Sequence, residues 1–152
     1  MTEWGAKNIK IETDNTADYV KSLATRSYED DNMAAPVSSG SFKVDGMIVI
    51  PCSTKTLASI ANAFDDSLVS RAAGVCIKEQ RKLVLVPRET PLSKIHLENM
   101  AKLASTSAVI LPAMPGFYHR PKTMDDLINH LVGKVLDQFN IDHSLFKRWS
   151  GG

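Results

Sequence analysis

The chain has 152 residues, of which 43% are hydrophobic, which is enough for one folded domain with a buried core. Eighteen basic residues against seventeen acidic ones give a net charge of +1, without the basic excess typical of nucleic-acid or membrane-surface binding. No apolar run approaches the roughly 20 residues that cross a bilayer. The composition therefore predicts a single soluble domain over residues 1–152, with neither nucleic acid nor membrane as a partner.

The cysteine and metal-ligand patterns are also simple. Cys52 and Cys76 form neither a CxxC pair nor a disulfide framework, and no charged leader with an apolar stretch opens the chain. A reducing cytoplasm is the location that this pattern predicts. The four histidines lack metal-ligand spacing. None of the acidic pairs at 30–31, 65–66 and 125–126 continues into a DDxxD motif, so we predict no metal site.

Residues 1–45 give the weakest pattern. Residues 18–24 carry apolar side chains at helical spacing, whereas residues 29–41 are polar and rich in Ser, Asp and Pro, as in a loop. A doubly wound α/β domain ordinarily opens with a strand, a Gly-rich turn and a helix. The opening MTEWGAKNIKIETD has no such turn, so we expect one opening unit, roughly 30 residues, to be absent.

Residues 46–140 alternate two kinds of apolar pattern. Continuous runs rich in Val, Ile and Leu predict strands buried on both faces, at residues 46–51, 82–87 and 108–115. Apolar side chains at helical spacing predict helices at residues 57–64, 67–78 and 95–103. Alternating strands and helices are typical of a parallel sheet with both faces covered. The fold class is therefore α/β.

The last predicted helix is the best marked one. Thr123 and Asp126 form a T-x-x-D capping box, after which apolar residues continue along one face to about residue 139. The tail, residues 141–152, carries Phe146 and Trp149 without a helical pattern. It could pack on its own domain or on a neighbouring subunit.

Hydroxyl side chains follow the first predicted strand at its carboxyl end. Ser53, Thr54 and Thr56 stand where a strand ends and a helix begins, a junction that directs backbone N–H groups and a positive dipole end toward one place. Such a place suits a phosphate or a flavin. Simple N-capping by Ser53 or Thr54 explains the same residues, and the spacing alone favours it.

Arg88 and Glu89 follow the second strand, at the edge where open α/β sheets bind ligands. Arg88 can donate two hydrogen bonds to a phosphate, and Glu89 can take or give a proton. A solvated ion pair in a loop explains them equally well.

Phe117, Tyr118 and His119 follow the third strand in a turn braced by Gly116 and two prolines. Aromatic rings there suit a planar cofactor or an allylic substrate, and a phenol can bind a phosphate. More often such rings cover a core. His119 is expected at the surface or behind the residues that touch a ligand.

Arg71 and Lys78 are seven residues apart on one predicted helix and share a face. A phosphate partner would explain them. Lys78 also clusters with Arg81 and Lys82, and exposed positive charge is favourable at a helix C-terminus. For Arg81 and Lys82 we favour this second explanation.

Six segments, in their order and spacing, resemble the flavin prenyltransferase family, which includes the UbiX proteins and the small subunits of hydroxyarylic acid decarboxylases. The segments are SSGSF, PCSTKTLASIA, SRAAGVCIKEQRKLVLVPRETP, IHLENM, LPAMPGFYHRP and VLDQF. The resemblance extends over nearly all of the chain. The family's Gly-rich turn, which cradles the FMN phosphate, has no counterpart in residues 1–10.

The resemblance implies a flavodoxin-like, three-layer Rossmann domain that assembles into trimers or dodecamers with FMN bound between subunits. It implies transfer of a dimethylallyl group from dimethylallyl phosphate to reduced FMN, without a metal, to supply a UbiD-like aromatic acid decarboxylase. The alternatives are a non-catalytic or impaired FMN-binding accessory subunit of a hydroxyarylic acid decarboxylase and a flavin-dependent decarboxylase of cysteine-containing peptides. Tyr118 and Lys134 argue against the last of these.

The resemblance also assigns residues by motif. The implied FMN contacts are Ser53, Thr54, Lys55, Thr56 and Arg88, with Ser39 of SSGSF near the flavin. The implied dimethylallyl phosphate contacts are Tyr118 and Lys134, the latter from GKVLDQF. Arg71, Lys78 and Glu89 form the implied catalytic group around the phosphate, with Glu89 handling a proton after the leaving group departs. Glu12, in IETD, is a weaker match to a polar position near the site.

Overall fold

The structure is a computed structural model that describes residues 1–148. Within these residues, three strands alternate with helices after a helical opening. In chain order the elements are α1 Glu3–Glu12, α2 Ala17–Ser22, a 3₁₀ turn Pro36–Ser38, β1 Gly46–Cys52, α3 Thr54–Ala61, α4 Leu68–Lys78, β2 Lys82–Pro87, α5 Lys94–Ala104, β3 Ala108–Ile110 and α6 Met124–Asp137.

The strands form one parallel sheet in the order β1-β2-β3. β1 pairs with β2 from Gly46 opposite Lys82 to Cys52 opposite Pro87, and β3 pairs with the middle of β2. The predicted parallel sheet is confirmed. Because every strand runs the same way, the segments that follow the strands leave the sheet at one common edge, which we call the carboxyl edge.

The third strand is shorter than predicted, since β3 ends at Ile110 and the apolar run continues to Pro115. The amides of Leu111 and Ala113 still donate to carbonyls of β2, at 2.8 and 2.9 Å. Pro112 between them has no N–H to donate. The chain therefore continues irregularly beside β2 and reaches the carboxyl edge as a loop.

Alternate residues of β2 face two separate cores. Leu83 and Leu85 pack with residues of α3, α4 and α5 on one face of the sheet, and Val84 and Val86 pack with residues of α6 on the other. Successive side chains of a strand point to opposite faces of the sheet. A sheet with helices on both faces therefore requires a continuous apolar run in its central strand. Truncating a leucine buried in this way costs about 2–5 kcal/mol. The predicted three-layer architecture is confirmed.

Side-chain caps fix the starts of the helices that flank the carboxyl edge. Ser53 Oγ accepts a hydrogen bond from the Thr56 amide at 3.1 Å, so α3 begins three residues earlier than predicted. Thr123 and Asp126 form the predicted capping box of α6. This helix ends at Asp137, two residues before its predicted end.

The opening of the chain contains a helix that the sequence did not reveal. α1 is capped by Thr2 and carries an ion pair between Lys7 and Glu3, but none of its side chains is buried. Trp4 and Ile11 are largely exposed. Because α1 contributes nothing to either core, its sequence has no core-facing periodicity. In the described part of the chain, no strand precedes β1.

Basic residues at the opposite, amino edge of the sheet bind backbone carbonyls. Arg81 donates to the carbonyls of Gly40 and Phe42, at 2.6 and 2.8 Å, and thereby ties the predicted loop to the start of β2. Lys82 Nζ donates to the Gln138 carbonyl at 2.7 Å, beyond the end of α6. Arg81 and Lys82 therefore have partners within the chain, which agrees with the sequence-based preference for a role other than phosphate binding. Those partners are backbone carbonyls and not solvent.

The tail packs on α6 as far as it is described. The Phe146 ring lies 4.9 Å from the His130 ring between centroids, and Arg148 pairs with Asp137 at 2.6 Å. Trp149, on which the prediction also depended, lies outside the described residues.

None of the helices between residues 1 and 148 is both long enough and apolar enough to span a bilayer.

Candidate functional site

The ends of β1 and β2 bring two groups of predicted residues together. Cys52 and Pro87 are partners across the sheet. Ser53 and Arg88, which follow them, therefore leave the sheet side by side at the carboxyl edge. The N-terminus of α3 lies at the same place, as expected for the ligand-binding edge of an open α/β sheet.

The hydroxyl cluster at the start of α3 is confirmed as a helix cap. Ser53 Oγ accepts from the Thr56 amide and also lies 3.0 Å from Thr56 Oγ1. Lys55 turns back to pair with Asp66 at 3.2 Å, and its hydrogen bond holds the pKa of that carboxyl below the ordinary value. Ser53 is exposed and Thr54 half-buried. Capping thus coexists with an open helix N-terminus at the edge.

A cleft of about 300 Å³ opens beside this edge. It is lined by Arg88, Glu89, Thr90, Leu92, Met100 and residues 112–115, together with Pro87. Its volume lies at the lower end of the roughly 300–1,000 Å³ usual for small-molecule sites. Mostly apolar walls with one guanidinium and one carboxylate suit a flat aromatic ligand that carries an anionic group.

Arg88 and Glu89 do not form the ion pair that was considered as an alternative. Glu89 Oε1 accepts from the Thr90 amide at 3.0 Å. None of the ion pairs found among residues 1–148 includes Arg88, which is exposed at the mouth of the cleft. Its guanidinium is therefore available to an anion without breaking an ion pair of the described chain.

The α4 group lies elsewhere in the subunit. Arg71 donates to the Ser38 carbonyl at 3.1 Å and pairs with Asp65 at 3.0 Å. Ser39 follows in the same loop, where its hydroxyl lies 2.9 Å from that of Ser41. Arg71 therefore joins α4 to the loop that precedes β1, and Ser39 belongs to that loop.

Lys78 and Arg88 lie at opposite ends of β2. Lys78 ends α4, four residues before β2 begins, whereas Arg88 follows the end of β2. The six residues of β2 span about 20 Å at 3.3 Å per residue, which exceeds the reach of a lysine side chain. Lys78 pairs with its neighbour Glu79. Within one subunit, the predicted residues therefore do not form a single site.

Tyr118 and Lys134 lie in a third group, with two histidines. The Tyr118 hydroxyl is 2.8 Å from His130 Nε2, and His119 stacks on the His130 ring with centroids 4.6 Å apart. Lys134 is exposed on α6, four residues after His130 and thus on the same face. The Phe146 ring also contacts His130, at a tilt of 58°. The loop that carries Tyr118 begins at the cleft, so this group adjoins the carboxyl edge.

His130 is held neutral at ordinary pH. Its side chain is 6% exposed, and burial, followed by the positive charges of His119 and Lys134, lowers its pKa from the usual 6.5. Its Nδ1 is buried without a hydrogen-bond partner in the described chain. The imidazole thus has one directed contact, with Tyr118.

Each acidic pair contributes at least one carboxylate to a helix start or to an ion pair. Asp30 accepts from the Val69 amide at 3.0 Å, and Asp65 and Asp66 pair with basic residues. Asp126 accepts from the amides of Lys122 and Thr123, which hold its pKa below the ordinary value. No group of three or more His, Cys, Asp or Glu within residues 1–148 could hold a metal ion.

Three further sequence-predicted residues take no part in these groups. Cys52 and Cys76 are buried and free, and burial raises the pKa of the Cys52 thiol to about 12. A thiol held protonated in this way is a poor nucleophile. Glu12 ends α1 and is exposed, and nothing in the structure connects it with the cleft.

His130 is the residue that sequence reasoning missed. It was weighed only as a metal ligand, for which its spacing was wrong. Its position one helical turn before Lys134 would have placed it beside the predicted phosphate contact. The contact with Tyr118, twelve residues earlier in a loop, could not be read from spacing.

Comparisons with known proteins agree with this geometry. A family model described as Flavoprotein matches residues 2–136. A probable UbiX-like flavin prenyltransferase of Escherichia coli O157:H7 is 52% identical over 99% of this chain and 77% of its own length. The fold is shared with a crystal structure of a UbiX protein in complex with FMN and dimethylallyl pyrophosphate, with a TM-score of 0.98, 51% identity and coverage of 100% of this chain and 81% of that one.

A second solved structure is a dodecameric FMN-dependent UbiX-like decarboxylase from Escherichia coli O157:H7. It has a TM-score of 0.97 and 52% identity, and the alignment covers 99% of this chain and 82% of that one. The parallel three-layer fold and the resemblance of the motifs are thereby confirmed. With a family model matched over residues 2–136 and a relative 52% identical, the chain belongs to the flavoprotein family, among the UbiX-like flavin prenyltransferases.

Proposed function

We propose that this protein is a flavin prenyltransferase, which transfers a dimethylallyl group from a dimethylallyl phosphate donor to reduced FMN. The observation that carries the proposal is similarity over the whole chain. All of it aligns, at a TM-score of 0.98 and 51% identity, with a UbiX protein solved with FMN and dimethylallyl pyrophosphate. The chain's own geometry supports the same ligands, as the following residues indicate.

The carboxyl edge is the proposed flavin site. Arg88 offers a planar pair of donors without giving up an ion pair of residues 1–148, and the N-terminus of α3 offers backbone N–H groups beside the hydroxyls of Ser53, Thr54 and Thr56. The apolar cleft wall with Met100 suits the isoalloxazine ring. Ser39 lies outside this cleft in the same subunit, so its proposed flavin contact requires a neighbouring subunit.

Tyr118 and Lys134 are the proposed phosphate ligands of the prenyl donor. A phenol donates one hydrogen bond and an ammonium supplies a positive charge, which together suit a phosphate monoester. In the reaction the donor's carbon–oxygen bond breaks, the phosphate leaves with the bonding electrons, and allyl C1 bonds to flavin N5, which loses its proton. The remaining carbon–carbon double bond then takes up a proton at C2, and the tertiary cation at C3 bonds to flavin C6. Fixed cations stabilise the leaving phosphate, and exposed rings such as Phe117 and Tyr118 can stabilise the allyl cation.

Glu89 is the proposed proton acceptor. When flavin C6 bonds to the tertiary allyl carbon, C6 must give up its own proton to restore the aromatic ring, and a carboxylate at the mouth of the cleft is placed to take it. Its hydrogen bond from the Thr90 amide holds one carboxylate oxygen, so the other remains free to act.

Arg71 and Lys78 would serve the site from a neighbouring subunit. Lys78 and Arg88 lie at opposite edges of the sheet, about 20 Å apart by the length of β2. In the proposed homo-oligomer, the amino-edge surface of one copy would meet the carboxyl edge of another; a similar protein, from Escherichia coli O157:H7, is a dodecamer. The ion pairs of Arg71 with Asp65 and of Lys78 with Glu79 lie at the surface, where such pairs contribute little stability. Both charges can therefore turn toward a phosphate.

The wider setting follows from the same family. We expect residues 1–152 to act as one domain, in the cytoplasm, and the prenylated FMN to pass to a UbiD-like aromatic acid decarboxylase. The two free, buried cysteines suit a reducing compartment.

The test is an anaerobic assay of the purified chain with reduced FMN and dimethylallyl phosphate, or the pyrophosphate, in which the flavin product is identified by its mass. A gain of one dimethylallyl group supports the enzyme, and the preferred donor follows from comparing the two phosphates. Binding of FMN without any gain of mass would contradict it and favour the accessory-subunit alternative.

A further inference from the structure

Tyr118 is exposed, yet its hydroxyl has a defined direction. Its side chain is 73% exposed, so packing alone does not fix it. Its hydroxyl lies 2.8 Å from His130 Nε2, and its ring meets the His119 and His130 rings edge to face, at 5.6 Å between centroids. The buried histidine is therefore what decides where the hydroxyl points.

His130 itself is rigidly placed. It is 6% exposed, stacked on His119, in contact with the tilted ring of Phe146, and carried by α6. The charged and titratable groups around it are Lys134 on its own helix, His119 and Tyr118 on the loop after β3, and His143 in the tail, which is paired with Asp137. Asp126, one turn earlier on α6, interacts with His119 and accepts from the amides of Lys122 and Thr123. Among these groups, none that contacts its ring is a carboxylate that would favour a charged imidazole.

We propose that His130 is a positioning residue for the prenyl phosphate: its Nε2–H holds the Tyr118 oxygen so that the phenol proton and the Lys134 ammonium point to one phosphate group. The inference rests on the proposed function for the identity of the ligand, and on the described geometry for the role of the histidine.

The chemistry fixes the tautomer. A phosphate oxygen only accepts hydrogen bonds here, so Tyr118 must give it the single phenol proton. The phenol oxygen must then accept from His130, which requires the proton on Nε2 and leaves Nδ1 as the bare nitrogen. Burial, which lowers the pKa of His130, keeps the imidazole neutral at pH 7 and so preserves this arrangement.

The experiment compares His130→Phe, which keeps an aromatic ring without Nε2, with His130→Gln, whose amide can still donate to Tyr118. Binding of dimethylallyl phosphate and of inorganic phosphate is measured by calorimetry on the full chain, and kcat and KM are measured separately. We expect His130→Phe to weaken binding of the donor and raise its KM about 2- to 10-fold, with kcat and FMN affinity nearly unchanged. His130→Gln should restore binding to within about twofold of the wild type.

A double-variant cycle tests whether His130 acts on donor binding through Tyr118. Tyr118→Phe with His130→Phe should bind the donor no more weakly than Tyr118→Phe alone, because the histidine acts through the phenol. Equal weakening in a His96→Gln control, on α5 at the other face of the sheet, would overturn the proposal. So would multiplicative losses in the cycle, or unchanged binding in His130→Phe.

A spectroscopic readout separates this proposal from the proposed function. Proton–nitrogen correlation spectra of the wild type should show His130 as the neutral Nε2–H tautomer, with its Nε2 signal shifted in Tyr118→Phe. An Nδ1–H tautomer would overturn the proposal even if prenyl transfer occurs. Absence of prenyl transfer would instead contradict the proposed function while the phosphate-binding comparison still decides the role of His130. If His130→Phe does not fold, the spectra of the wild type and Tyr118→Phe decide: an Nδ1–H tautomer, or an Nε2 signal that does not shift in Tyr118→Phe, would overturn the proposal.

Discussion

The two edges of the sheet use arginine differently. At the amino edge, Arg81 donates to the carbonyls of Gly40 and Phe42 at 2.6 and 2.8 Å. At the carboxyl edge, Arg88 is exposed at a cleft of about 300 Å³ and takes no part in the ion pairs of residues 1–148. One guanidinium is already occupied by the fold, and the other is available to a ligand.

The contrast shows that the role of a charged residue depends on what it contacts. A position within a family motif does not by itself distinguish a structural role from a ligand-binding role. Arg81 and Arg88 both lie within the segment that resembles the prenyltransferase family, at the two ends of β2. The position of Arg88 agrees with the general rule that open α/β sheets bind ligands at their carboxyl edge. Four predictions test the contrast.

The largest expected effect is that of Arg88→Met. Loss of two charge-assisted hydrogen bonds to an anion costs about 3 kcal/mol, so kcat/KM for prenyl transfer should fall about 100-fold. The melting temperature should stay within a degree or two of the wild type, because the side chain forms no ion pair to lose. Anaerobic product formation and calorimetry measure the two quantities. A variant that melts much earlier, with normal turnover by the folded fraction, would reverse the assignment.

Lys134→Met comes next. Removing one cation from a phosphate site costs about 1.5–3 kcal/mol, so the KM for dimethylallyl phosphate should rise about 10- to 100-fold. Lys94→Met, on the exposed start of α5, is the matched control. Steady-state kinetics at saturating FMN measure the change. An equal rise in both variants would show a general charge effect rather than a site on α6.

Arg81→Met tests whether Arg81 at the amino edge stabilises the fold. The variant should lower the free energy of unfolding by about 1–2 kcal/mol, because two carbonyls of the loop lose a charged donor. Urea unfolding measures this change. Prenyl transfer per folded molecule should stay near the wild-type value. A stable variant with lost turnover would contradict the account of the amino edge.

The smallest expected effect is a pH dependence from His130. Burial lowers its folded pKa below 6.5, so the folded state binds fewer protons than the unfolded state between those two values. The contribution to stability is therefore complete above about pH 6.5 and is lost as the pH falls through that window. Urea midpoints at pH 7.5 and 5.5 should differ less in His130→Phe than in the wild type. Identical differences would show that other groups cause the dependence.

Much of the fold could be predicted because its signals are local. The strands at β1 and β2 are continuous apolar runs, and Ser53 and Thr123 are caps with partners three residues away. β3 proved shorter because Pro112 interrupts the ladder. α1 was missed because it buries no side chain, so the hydrophobic pattern that marks other helices is absent from it.

The site could be predicted only in part. The edge position of Ser53 and Arg88 follows from the ends of parallel strands. The separation of Lys78 from Arg88 does not, since a motif gives the identity of residues but not which end of a sheet each one reaches. The contact of Tyr118 with His130 depends on a loop conformation that no sequence period encodes.

The contrast between the two arginines comes down to one statement: Arg88 at the carboxyl edge binds the flavin, and Arg81 at the amino edge holds the fold. The most direct measurement is the dissociation constant of FMN, from flavin fluorescence, for the wild type, Arg88→Met and Arg81→Met under conditions in which all three are folded. We predict that FMN affinity falls at least about tenfold in Arg88→Met and stays at the wild-type value in Arg81→Met. Weakened binding in Arg81→Met with normal binding in Arg88→Met would contradict the claim.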